Sequence, residues 1–504
     1  MGTYTPLASP FTRVFLTEGR ARPDHAPVFK SCMRAGAIDW GQGDITKIEC
    51  PDPNAYNDFI EAGEFQGSQD RMTTDVQGRF AADEASTLMR LAAGRCTFDI
   101  QVHIGACTNP SDFDTYTKVL VYEDARITNY GTDELGTLSS DGAGEVNETA
   151  DLSAESVYEV LPLSHVERGG DAVVNPIVDV VICDSPSCGD CDDESTGCKK
   201  IYAVDDGATG SPGTAPDVVY SVDGGVTWAA EEIDSLDSGE AASAIACVGI
   251  YVVVASNADA GIHYKEKANL GDGVANSWTR FAATIAATGE PNDMWGVGTY
   301  IFMVGDLGYV YGFTDPGDVI VLDAGIAATL NLNAVHALDD QFAVAVGATD
   351  TVIFTQNQTT WGAPTSTPGG ANYISVWAKN EKEWWVGDDA GALFYTLDGG
   401  VTWSADVSAR LPGTGWTAIN DIQFPTDTVG FIVADKDTTP RGFELETING
   451  GVTWTIQPPG SGALPLADSL VALATCPIQA EVNFVVAVGT GDDAADGIII
   501  VGQD

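Results

Sequence analysis

One eight-residue pattern, Ser/Thr-x-Asp/Asn-x-Gly-x-Thr-Trp, limits what this chain can fold into. It occurs as Ser221, Asp223, Gly225, Thr227 and Trp228, and again as Thr396, Asp398, Gly400, Thr402 and Trp403. The third copy carries Asn in place of Asp: Thr447, Asn449, Gly451, Thr453 and Trp454. The chemistry is that of a tight hairpin. The Asp or Asn side chain accepts hydrogen bonds from backbone N–H groups ahead of it, and Gly takes the positive φ that the turn requires. Thr and Trp then open the return strand, where a large aromatic wedges between neighbouring sheets. These fifteen residues read as structural.

The three copies resemble the Asp-box (BNR) repeat of sialidase-like and photosystem-assembly-factor-like β-propellers. That resemblance implies a propeller with the boxes at its periphery and any catalytic residues elsewhere. A second repeat agrees with it. Strands ending in Val-Gly-Asp or a relative recur, and the positions Ala203, Val254, Val304, Val346, Val386, Val433 and Val488 are 51, 50, 42, 40, 47 and 55 residues apart. Seven units at that spacing match propeller blades. The last ends at Val501 without an exit strand, so closing the ring needs a strand from near Asn175–Cys183 or just before it. The fold class expected is mainly β, with a seven-bladed propeller over residues 201–504.

Residues 1–165 have a different texture. Short strand patterns precede one helical pattern over 83–93, opened by Asp83 and Glu84 and ended by Gly94. Strands follow at 97–104 and 118–129, then over 145–163 with a break near Ala154. This order, with Arg71–Arg79, Phe98–His103, Val121–Leu135 and Gly144–Val160, resembles the tail tube (major tail) protein of long-tailed bacteriophages. The resemblance implies a β-sandwich or barrel domain that forms homo-hexameric rings stacking into a tube with other virion tail proteins. An α+β sandwich with one helix and no such role remains the alternative.

Between the two regions, residues 166–200 read as a junction loop carrying Cys183, Cys188, Cys191 and Cys198. Disulfides, free thiols and a four-thiolate zinc site all remain open, although the C-x4-C-x2-C-x6-C spacing is not that of a zinc ribbon. Cys247 and Cys476 sit in apolar strand patterns and read as small core residues.

The charge balance is 23 basic against 73 acidic residues, a net of −50. Such a surface repels nucleic acid and anionic membranes, although an acidic lumen would let genome DNA pass without binding. A saline habitat accounts for the same number. There is no run of 18 apolar residues and no basic-then-apolar leader, so neither membrane insertion nor secretion is expected. Assembly in a host cytoplasm and residence in a virion tail fit that reading.

Catalysis is not expected. A sialidase needs an arginine triad, a Tyr–Glu nucleophile and an acid/base Asp, and residues 200–504 hold only Arg280, Arg410 and Arg441. His263 and His336 stand too far apart for a metal site or a triad. Asp492, Asp493 and Asp496 read as a solvated turn before a calcium loop, and no cofactor motif occurs. The leading expectation is a tail tube subunit with a propeller decorating the exterior, for stability or for binding a host-surface glycan or protein. The alternative is a stand-alone glycan- or protein-binding propeller with an accessory β domain. A sialidase-type hydrolase or a photosystem-assembly-like chaperone ranks below both.

Overall fold

In a computed structural model the chain divides into two compact units, Met1–Pro162 and Leu163–Asp504. The structure describes residues 12–18, 22–24, 26, 28–29, 33–40, 46–51, 59–65, 72–79, 91, 97–104, 118–132, 147–154 and 156–168. Beyond these it describes 175–183, 200–207, 217–236, 240–256, 261–270, 278–281, 290–314, 320–322, 329–370, 372–437, 442–457, 467–476, 483–491 and 497–503.

The smaller unit is built on an eight-stranded sheet. Its order is Val28–Phe29, Thr12–Glu18, Phe98–Ile104, Lys118–Thr132, Asn147–Ser153, Met72–Arg79 and Met33–Trp40, with Ser156–Val160 pairing separately on Lys118–Thr132. That 15-residue strand changes partner part-way. Residues up to Ala125 pair with Phe98–Ile104, and those from Arg126 on pair with Asn147–Ser153. At the change Asp124 takes φ +48°, and the Asp99 carboxylate accepts its N–H at 3.0 Å. Strand Phe98–Ile104 alternates apolar Phe98, Ile100 and Val102 with polar Asp99, Gln101 and His103, and all six are buried. The apolar set packs with Val14, Leu16, Leu120, Tyr122 and Leu152. Of the helix expected over 83–93, Leu91 alone lies within the described residues. It is helical and packs into this same core.

The described residues of the larger unit form a succession of seven small antiparallel sheets. Sheet 1 begins with Ile177–Ile182, sheet 2 with Ala242–Val248, sheet 3 with Pro291–Val297 and sheet 4 with Leu332–Ala337. Sheets 5, 6 and 7 begin with Tyr373–Ala378, Trp416–Gln423 and Ala467–Thr475. These first strands touch in chain order, and the last touches the first, which closes a ring around a central space. The Val-Gly-Asp repeat of the sequence is the second strand of each sheet. Its residues are buried on both faces, and this is why the runs Val252–Ala255 and Val485–Val488 are continuously apolar.

Ring closure is made by Ser164–Arg168, which becomes the fourth strand of sheet 7 by pairing with Gly497–Gln503, Val166 opposite Val501. Ile177–Ile182, by contrast, is the first strand of sheet 1, so the stretch read as a junction loop contributes strands to two sheets. Apolar clusters fill the spaces between successive sheets, as where Trp384 and Phe342 meet between sheets 4 and 5. The space between sheets 6 and 7 carries charge: His165 on the closing strand bonds Glu444 on sheet 6 at 2.8 Å, both nearly inaccessible to water. Burial pushes the His165 pKa down, and the charge and hydrogen bond of Glu444 more than reverse this, so it lies above the usual value.

Candidate binding site

The three motif turns all lie on the rim, after the third strand of sheets 1, 5 and 6. In the first, Asp223 accepts the N–H of Val226 and Thr227 at 3.1 and 2.9 Å and the Thr227 hydroxyl at 2.5 Å. Ser221 Oγ donates to Asp223 and accepts from Gly225 N–H. Asp398 repeats these bonds with Thr396, Gly400 and Thr402, and the Asn449 copy repeats them with Thr447, Gly451 and Thr453 except that Asn449 Nδ2 donates to the Thr453 hydroxyl. Gly225, Gly400 and Gly451 have φ of +79°, +77° and +84°. Trp228 and Trp403 donate to the carbonyls of Gly225 and Ser366, whereas Trp454 packs against Trp385 and Phe424. Partial burial pushes the carboxyls of Asp223 and Asp398 up, but the bonds to Thr227 and Thr402 outweigh it and hold both below their ordinary range. The Asp, Asn, Ser and Thr side chains of these turns bond within their own hairpins. A fourth, shortened copy in sheet 4 does the same, with Asn357 accepting from Thr355 Oγ1 and Thr360 N–H and Trp361 buried behind it. Its missing residue hides it from the eight-residue pattern.

Chemistry concentrates instead in the middle of the ring. Each first strand carries a one-residue bulge at the same level, at Val178, Ser243, Asn292, Asn333, Ile374, Asn420 and Val471, and those of sheets 6 and 7 carry a second, at Thr417 and Asp468. A bulge re-aims side chains, and here it turns polar groups toward the next first strand. Asn292, Asn333 and Asn420 donate to the carbonyls of Leu332, Tyr373 and Leu470 at 2.7–2.8 Å. The residue after the bulge does the same work in sheets 1, 3 and 6. Asp179 accepts its neighbour Val180 N–H and, across the junction, Ile245 N–H, both at 2.8 Å. Asp293 accepts Met294 and Val335 N–H at 2.7 Å, and Asp421 accepts Ile422 and Leu473 N–H at 2.7 and 3.0 Å. In sheet 5, Ser375 Oγ donates to Ile419 O at 2.7 Å. First strands of neighbouring sheets share no ladder, so these side chains satisfy backbone groups that would otherwise stay unpaired.

The space they enclose is a cavity of about 470 Å³ lined from all seven first strands. Burial pushes the carboxyls of Asp179 and Asp421 up to about 7, outweighing the backbone N–H groups that pull them down. Asp293 is also raised well above its ordinary value, by burial and then by the charge of Asp179. On one side of the cavity stand Trp295 and Trp377, edge to face at 5.4 Å. His336 packs against both, 4.5 and 3.8 Å from their ring centres. Its Nδ1 accepts Ala378 N–H, and burial pushes its pKa down to about 3, so the ring is neutral. Among the described residues lining the cavity there is no Lys, Arg or His.

The cysteines are a correction. Cys183 pairs with Cys247, Cα atoms 6.0 Å apart, so Cys247 is not a simple core residue, and the bond ties the first strands of sheets 1 and 2. Cys476, after the first strand of sheet 7, is disulfide-bonded too. Cys188, Cys191 and Cys198 lie outside the described residues, as do Arg441, Asp492, Asp493 and Asp496. Among the described residues no His/Cys/Asp/Glu group could hold a metal. Arg280 pairs with Glu240 in sheet 2, and Arg410 donates to Gly451 O near sheet 6; neither lines the cavity. His263 is buried between Ser235 and Ser256 hydroxyls at 2.7 and 3.4 Å. No described helix is long and apolar enough to cross a membrane.

No family model and no curated protein matches the chain. Solved structures do. A YCF48 bound to D1 peptide is 14% identical with a TM-score of 0.49, covering 68% of this chain and 96% of its own. The WD40 repeats of RRP9 are 11% identical with a TM-score of 0.48, covering 68% and 97%. The WD40 beta propeller domain of Doa1 is 12% identical with a TM-score of 0.46, covering 68% and 98%. None of these is a tail tube protein.

Proposed function

We propose that the chain is a non-enzymatic binding protein whose larger unit is a seven-bladed, Asp-box-type β-propeller that receives a segment of a partner protein in its central cavity. The observation that carries this is the cavity itself. Its volume is in the range of ligand sites, its wall mixes two indoles with a few polar groups, and its hydrogen-bonding side chains brace the ring around it. Those polar groups bond to backbone partners, and no nucleophile–base pair stands among the described residues of the lining to drive a reaction. The second reading, a tail tube subunit with hexameric rings, draws on the sequence texture of residues 1–165. Ring or tube formation by the full chain in solution is its test.

Peptide selection tests the binding reading. A random peptide library is panned against the immobilised full chain, and enriched peptides are measured on the native protein and on Trp377→Leu. The reading expects peptides whose affinity falls about tenfold in the variant, as loss of one aromatic contact implies. Peptides indifferent to the cavity, or turnover of a fluorogenic sialoside, would overturn it.

A further inference from the structure

We propose that the cavity takes a basic side chain, an arginine or lysine presented by a partner protein, seated against the Trp295–Trp377 wall. The inference rests on the binding reading above and names its ligand chemistry.

The wall supplies the first argument. Trp295 and Trp377 are both half-buried and line the cavity, and indole is the best aromatic face for a cation. His336, which backs both rings, is neutral, so no positive charge competes there. The polar lining supplies the second. Asp179, Asp293 and Asp421 face the space, and the described lining contains no basic group to offset them. Each of their oxygens accepts one backbone N–H, and Asp421 also bonds the Gln423 side chain, which leaves further acceptor capacity on Asp179 and Asp293 above all. Both Nδ2 hydrogens of Asn292 go to Leu332 O and Asp306, and both of Asn333 to Tyr373 O and Asn372, so what these two amides offer a ligand is their oxygens, whereas Asn420 spends one hydrogen on Leu470 O. The site is therefore rich in acceptors, and an anion would meet carboxylates with no donor of charge beside them. Charge complementarity extends outward, since the chain as a whole carries −50 and attracts basic partners at long range. Burial holds the carboxyls of Asp179 and Asp421 near 7 and raises Asp293 as well, so a cation entering beside them expels protons.

Calorimetry on the full-length protein tests this with acetyl-Gly-Arg-Gly-amide, the same peptide with citrulline for arginine, and spermidine. The proposal expects saturable binding of the arginine peptide, with citrulline at least about tenfold weaker because it keeps the shape and loses the charge. Trp377→Leu weakens the arginine peptide by about tenfold. If that variant does not fold, the native protein still decides: at pH 6.5 the binding enthalpy must differ between phosphate and imidazole buffers by an amount that shows proton release. Equal binding of the two peptides, no proton release, or no binding of the arginine peptide overturns the proposal. Spermidine binding more tightly and displacing the peptide also overturns it, in favour of a free polyamine. If panned peptides bind the cavity yet carry no basic residue, the binding reading stands and this inference falls.

Discussion

Single residues in the larger unit do two separable jobs, shaping the rim hairpins and bracing the centre. At the rim, Gly451 has φ +84°, and a Cβ there would lie 2.3 Å from the buried Trp385 ring. Gly451→Ala should cost about 3 kcal/mol, combining left-handed strain with overpacking. Gly399→Ala, with φ +72° but its nearest neighbour at 3.3 Å, should cost about 1 kcal/mol. Urea unfolding read by tryptophan fluorescence separates the two, because 10 of the 11 tryptophans lie in the larger unit. Equal costs would mean that Trp385 moves aside. At the centre, the raised carboxyls have a defined pH signature. The folded protein holds protons on Asp179 and Asp421 that the unfolded chain has released, so their contribution is complete below about pH 4 and lost as pH rises through about 7. The urea midpoint should fall from pH 5 to pH 8. In Asp421→Asn the whole curve should drop, since one oxygen cannot serve both Ile422 and Leu473 N–H, and its slope should flatten. An unchanged slope would mean that Asp421 is ionised throughout. The rim residues were legible because Asp, Gly and Trp recur at fixed offsets. The central ones were not. Asn292-Asp293, Asn333-Ala334 and Asn420-Asp421 recur too, but as dipeptides that any surface turn displays, and only the shared bulge gives them meaning.

Among elements, the closing strand and the disulfide matter most. Ser164–Arg168 is held by its ladder to Gly497–Gln503 and by the His165–Glu444 bond. His165→Leu leaves Glu444 buried without its partner, at a cost of about 3–5 kcal/mol. Hydrogen exchange should show it as faster exchange at 164–168 and 497–503, whereas Val166→Ala, at an exposed position, should leave those amides slow. Matching exchange in the two variants would place the hold in the ladder alone. The Cys183–Cys247 bond spans 64 residues of sequence, for which loop entropy gives about 4 kcal/mol. Reduction under native conditions should lower the melting temperature of the larger unit, and a Cys183→Ser/Cys247→Ser protein should melt below the oxidised native protein in the absence of reductant. Sequence spacing pointed Cys183 toward its neighbours in the loop. Its partner lies on another sheet, and a pairing set by the ring's curvature leaves no trace in local spacing.

The molecule as a whole is two β units of unlike construction, one an extended sheet and the other a ring of seven small ones. Repeats made the ring readable, because each unit must bury the same second strand. The smaller unit has no such internal copy, and its pattern resembles more than one β architecture. Hydrogen–deuterium exchange of the full chain with and without a panned peptide shows whether a partner binds at the ring's centre. Slower exchange confined to the first strands that carry the indole wall and the carboxyls, at Ile177–Ile182, Pro291–Val297, Tyr373–Ala378 and Trp416–Gln423, is the predicted result. Slower exchange only at the rim hairpins or within residues 1–162, with the first strands unchanged, would contradict it.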